Sequence, residues 1–318
     1  MQPEYKFFIT MINRTIIRIK VLQIVYAYYQ KNSIDLSHAE NELMIGLQKS
    51  YDLYHYLLLL IIYITHTEQK RLDLRKNKLL ATEAERNPNR RLADNRLVEL
   101  LNRNKQLQKY ANDMGIFRNN EEIFFLRSTL NKILQSDIYN EYLESDDTFE
   151  SDRNFWIKIL KQLILIDNDL DEELENRSIY WNDDLEVIGA FVIKTIKRLT
   201  VETPAEQILF PMFKDMEDKN FAFKLLHHSL LDEKDNSQRI KNQVNNWDIE
   251  RLAQMDLLII QIALAELCNF PSIPISVTLN EYIDLARYYS TPKSPVFING
   301  ILDAIVKELK NEKILFKS

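Results

Sequence analysis

Only four glycines and eight prolines punctuate 318 residues. A sheet-rich chain reverses direction often and needs a turn former at most reversals, so this scarcity predicts an all-α fold of long helices with few connections. Hydrophobic residues make up 46% of the chain and charged residues 28%. That balance supplies a core and is too apolar for wholesale disorder. The length allows one large domain or two ordinary ones. Strand-like alternation is weak throughout, and no internal repeat or low-complexity tract interrupts the pattern.

Residues 13–30 are apolar almost all round (Ile16, Ile17, Ile19, Val21, Leu22, Ile24, Val25), which predicts a mostly buried helix. Asp35 or Ser37 can cap a second helix running past Gly46 toward His66, with Tyr51, Tyr54, Leu58 and Ile61 at helical spacing. The basic stretch 70–109 is broken at Asn87-Pro88-Asn89. Residues 123–143 predict one amphipathic helix, and 155–174 another. Tyr180 to Asp184 reads as a turn before a helix over 185–199, and Thr203-Pro204 breaks the chain again. A helix over 215–231 and a loop over 232–236 follow. The stretch 247–309 is three helix-like segments joined by two short proline-bearing turns, and it ends in a specified Phe-Ile-Asn-Gly-Ile-Leu-Asp run.

No catalytic or cofactor chemistry emerges from the residues. The glycines lie too far apart to cradle a phosphate. His227 and His228 are adjacent, so on a helix they point about 100° apart and cannot converge on one metal; one buried and one exposed imidazole is the expectation. Cys268 sits in an apolar run, predicting a buried, inert thiol and a reducing cytoplasmic setting. Asp169, Asp171, Glu172, Glu173 and Glu175 form a solvated acidic run without the contrasting environments that acid and base carboxylates need. No apolar stretch is long enough to span a bilayer, and the N-terminal residues do not form a signal peptide. Met11 is as good a start as Met1.

The net charge of −6 conceals a segregation. Residues 1–32 carry five lysines and arginines against Glu4, and residues 70–109 carry twelve against five acids. Residues 137–186 reverse this, with sixteen acids against four. Local field decides where a polyanion can sit, so the chain has two basic surfaces and one acidic one. Arg14 and Arg18 stand at i, i+4, which places both guanidiniums on one stripe of the first helix. Tyr288, Tyr289, Lys293, Ser294 and Phe297 put aromatics, a cation and a cap within ten residues, a composition able to stack on unpaired bases. The alternative for Tyr26, Phe297 and the loop tyrosines is burial in the core. Asn299-Gly300 reads as structural, the glycine permitting close helix approach.

Arg251, Asp256, the Gln261 to Leu267 segment, Pro274, Asn280-Glu281, Leu285-Ala286 and Phe297 to Asp303 together resemble the NusB family of small helical transcription antitermination factors. Arg14, Arg18, Val21-Leu22-Gln23 and Tyr26 resemble that family's first helix. The resemblance implies a NusB-like helical bundle split into residues 11–66 and 204–318, with a large helical insertion over 67–203. It implies no enzyme activity. It further implies binding of boxA-like single-stranded RNA together with a NusE-type ribosomal protein, in an RNA polymerase elongation complex acting on rRNA operons. RNA contacts would come from Arg14, Arg18, Tyr26, Tyr289, Lys293, Ser294 and Phe297, and Asp256 would meet a basic residue of the protein partner. Two departures stand out: Thr15 and Ile16 thin the arginine cluster, and Lys293 stands where an acid is common. An accessory module in ribosome assembly or rRNA modification, or a protein-interaction scaffold, are the competing functions. The basic half of the insertion would either extend the RNA footprint or pair with the acidic half.

Overall fold

The computed structural model describes residues 11–31, 35–117, 119–204, 206–207, 209–243 and 253–315. The two alternative starts are divided by this limit, and Arg251 lies outside the described residues. In chain order the helices begin with α1 (Arg14–Lys31), α2 (Leu36–Lys76), α3 (Glu83–Arg86), α4 (Arg96–Asn102) and α5 (Lys105–Met114). They continue with α6 (Asn120–Leu134), α7 (Asp137–Glu144), α8 (Phe149–Ile159), α9 (Asn168–Arg177) and α10 (Leu185–Arg198). The last are α11 (Met216–Leu231), α12 (Glu233–Gln243), α13 (Gln254–Asn269), α14 (Ile275–Tyr289) and α15 (Ser294–Asn311). No strand occurs among the described residues, as the shortage of turn formers requires.

Boundaries follow local chemistry. Asp35 receives the backbone N–H of His38 and so starts α2. The single helix expected over 123–143 is two, because Ser136 accepts the N–H of Tyr139 and opens α7. The loop expected over 232–236 shrinks to the cap residue Asp232, since α12 begins at once.

The chain divides into two compact units: residues 1–47 with 213–318, and residues 48–212. The first divide falls inside α2, whereas the sequence reading placed the insertion boundary at 66/67. The first unit packs α11, α13, α14 and α15 with α1, and α13 is its axis: Leu258 to Leu267 are all buried, the polar Gln261 and Glu266 included.

The second unit is organised on the later turns of α2, where Leu53, Tyr54 and every residue from Tyr56 to Ile62 are buried. Tyr56 meets the rings of Phe117 and Trp181 at 5.1 and 5.2 Å. A methyl group at Gly189 would come within 2.7 Å of the Leu165 side chain, which would have to shift to admit it. The basic stretch is largely consumed inside this unit. Arg96 pairs with Asp147 and Asp152, Arg90 with Asp73 and Asp94, and Lys105 with Glu206. Arg91 donates to the carbonyls of Leu143, Ser145 and Asp146.

Candidate nucleic-acid interface

α1 and α13 lie side by side in the first unit, in opposite directions. Gln30 near the end of α1 donates to Gln254 at the start of α13, and Arg18 near the start of α1 meets Glu266 near the end of α13. α14 runs with α1: Thr15 donates to Glu281, and Arg18 reaches the same carboxylate at 3.1 Å. The unit therefore has an arginine end and a tyrosine end.

At the arginine end, Arg18 is buried with Glu266, which it grips through two hydrogen bonds of 2.7 and 2.8 Å. Thr278 and Tyr282 donate to the same carboxylate, at 2.9 and 3.0 Å. Burial works against the Arg18 charge, but the Glu266 hydrogen bond and the neighbouring Tyr282, Glu266 and Glu281 hold its pKa above the ordinary arginine value. Burial, with Glu266 beside it, likewise pushes the Tyr282 phenol well up. Arg18 is thus a core ion pair, which corrects the expectation that it would share a surface stripe with Arg14. The spacing was right, but the facing carboxylate lies 248 residues away. Arg14 stays at the surface, 3.0 Å from Glu217 and 3.8 Å from Asp218, with its guanidinium over Phe221. Two carboxylates already answer its charge.

The tyrosine end is assembled around Asp256, which is buried in the first turn of α13. Ser290 donates to its Oδ1 at 2.5 Å and Ser294 to its Oδ2 at 2.9 Å. The Thr291 N–H in turn donates to the Ser294 hydroxyl. These bonds fix the turn between α14 and α15, which corrects two expectations. Asp256 is not a surface contact for a basic partner, and Ser294 is too buried to meet RNA. Both serve to shape the loop. What the loop presents is Tyr288 and Val296, both largely exposed, together with exposed Lys293. Tyr289 and Phe297 are half-buried.

Tyr26 and Tyr29 are both exposed on the last turns of α1, so Tyr26 is not a core residue. The antiparallel pairing puts them at the Gln254 end of α13, where Asp256 anchors the loop. Asp256 and Glu266 are ten residues apart on one helix, which separates the two ends by about 15 Å. Sequence reasoning passed over Tyr29; its place three residues after Tyr26, on the same helix face, was the available signal.

Other expectations also change. Gly300 is exposed with open space where a side chain would be, so no close helix approach requires it. Cys268 lies on the exposed side of α13 rather than in the core. His227 and His228 are both half-exposed, each beside a carboxylate, Glu40 and Asp232. Among the described residues no group of histidines, cysteines and acids is arranged to hold a metal. Nor is any helix there long and apolar enough to cross a membrane.

Comparison with known proteins agrees with this architecture. The NusB family model matches residues 190–307. The Transcription antitermination protein NusB of Chloroherpeton thalassium is 38% identical over 104 residues, 33% of this chain and 49% of that relative. The chain thus spans about half the length of this relative. The protein of the same name from Salinibacter ruber is 33% identical over 108 residues, 34% of this chain and 68% of the relative. That from Geotalea daltonii is 32% identical over 143 residues, 44% of this chain and 94% of the relative. No solved structure matches. With nearly the whole of one such relative covered by its residues, this chain belongs to the NusB family.

Proposed function

We propose that this NusB-family chain is a non-catalytic, cytoplasmic antitermination factor that binds boxA-like single-stranded RNA together with a NusE-type ribosomal protein, in the RNA polymerase elongation complex that transcribes rRNA operons. The observation that carries this reading is the tyrosine end of the first unit. There Tyr26 and Tyr29 are exposed on the last turns of α1, and Tyr288 and Lys293 are exposed around a loop fixed from below by Asp256. Exposed rings offer stacking surface to unpaired bases, and a rigid loop holds them in place before binding. Lys293 adds a phosphate contact where the family commonly has an acid. Tyr289 and Phe297 line the same loop and back the stacking surface. Arg14, at the far end of α1, is left as a single outlying phosphate contact that must first leave Glu217.

RNA titration with and without the NusE-type protein tests the reading. The pair should bind a boxA-like RNA more tightly than either protein alone. Equal, weak affinity for any single strand, unchanged by the partner, would contradict it.

A further inference from the structure

The second unit holds two exposed apolar features of opposite charge. The first is the tip of α2. Leu74, Leu79 and Leu80 are 72%, 97% and 89% exposed, an unusual cost for leucines in an ordered turn. The turn is held in shape: the Ala81 N–H donates to the Lys78 carbonyl, Lys78 pairs with Glu85, and Thr82 and Glu85 form a capping box. Most cations of the basic stretch are bound elsewhere, but exposed Lys70, Arg75 and Lys76 make no ion pair among the described residues, and they lie on the last two turns of α2 with Leu74. A surface meant for a polyanion alone would not need the three apolar side chains.

The second feature lies on α6 and α9. These helices are clamped antiparallel, Lys132 pairing with Asp167 and Asp169 at one end and Arg177 with Glu122 and Glu173 at the other. At the Arg177 end, Phe124 and Ile179 are largely exposed. Glu121 and Glu172 are exposed on the same two helices. The two features differ in the charge near them: exposed Lys70, Arg75 and Lys76 lie on the end of α2 that leads to the leucines, and exposed Glu121 and Glu172 lie on the helices that carry Phe124 and lead to Ile179.

We propose that the insertion is a self-association module, in which the leucine tip of one copy docks on the α6–α9 patch of a second copy. Burying the apolar side chains drives the contact, and the opposite charges select its register. This inference does not rest on RNA binding.

Sedimentation velocity of the full chain over a range of concentrations tests it. At low salt the sedimentation coefficient should rise with concentration, and raising the salt should weaken association, because exposed pairs are screened beyond about 10 Å at 0.1 M. Leu79→Ser with Leu80→Ser, all at the surface, should leave circular dichroism unchanged and weaken association at least about tenfold, as loss of two buried leucines implies. Phe124→Ser with Ile179→Ser should do the same from the other side. A mixture of the two variants should associate again, because one supplies an intact patch and the other an intact tip. A wild-type chain that stays monomeric throughout overturns the proposal. So does either variant associating like wild type, or a mixture that remains monomeric.

Discussion

The two ends of the first unit use similar residues to opposite effect. At the arginine end, charge is turned inward: Arg18, Glu266, Thr278 and Tyr282 satisfy one another in a buried cluster. At the tyrosine end, a buried carboxylate is spent on two serines, and the aromatic side chains are left facing outward. A charged side chain that has found its partner in the core stabilises the fold and is lost to a ligand. A polar group that shapes a loop from below leaves side chains such as Tyr288 and Lys293 facing solvent.

The largest effect that separates the two ends is on stability. Arg18→Ala strands the Glu266 charge in the core and should cost about 3–5 kcal/mol in denaturant unfolding of the first unit. Tyr288→Ala should change stability by no more than about 0.5 kcal/mol. If the Arg18 variant unfolds like wild type, the inward assignment of that end is broken.

RNA binding should show the reverse order. Tyr26→Ala and Tyr288→Ala should each weaken a boxA-like RNA by about 1–3 kcal/mol, the usual worth of one stacked base. Asp256→Asn leaves the loop residues in place but disturbs the carboxylate that receives both serine hydroxyls. We expect a cost of about 1–3 kcal/mol in stability, with faster amide exchange over residues 288–297. A smaller loss of RNA affinity should accompany it, and Asp256→Glu should recover part of both. Wild-type exchange in that loop would show that Asp256 does not shape it. Arg14→Ala should have the smallest effect, up to about 1 kcal/mol in RNA affinity with a salt slope lowered by about 1.

The second unit gives a contrast in pH response. His55 is buried, its Nδ1 2.9 Å from the Tyr51 carbonyl and its Nε2 3.0 Å from the Gln106 amide, with its ring stacked on Tyr110. Burial lowers its pKa from 6.5. A lowered folded value means the neutral imidazole is favoured in the fold. Its stabilising contribution is therefore complete above about pH 6.5 and is lost as pH falls through the folded value. Unfolding of the second unit followed between pH 7.5 and 5 should show this loss, and His55→Gln should flatten it. A slope unchanged by the substitution would remove His55 as its source.

The all-α fold was legible because four glycines cannot punctuate a sheet of this size. The turn between α14 and α15 was legible for a similar reason, with its aromatics, cation and prolines packed into ten residues. What could not be read was which way a side chain faces when its partner is remote. Arg14 and Arg18 look alike at i, i+4, yet only Arg18 has Glu266 opposite it. Asp256 and Ser294 looked like surface contacts because the bond joining them spans 38 residues. The basic stretch left two readings open, a longer RNA footprint or pairing with the acidic half, because the carboxylates and carbonyls that occupy much of it come from 143–152 and 206 as well as from within it.

Ultraviolet crosslinking of a boxA-like RNA to the complex with the NusE-type protein, read by peptide mass spectrometry, tests the central claim most directly. Crosslinks should fall on the peptides carrying Tyr26, Tyr29 and Tyr288. Crosslinks confined to residues 67–203, with those tyrosines untouched, would contradict the assignment of the tyrosine end as the RNA surface.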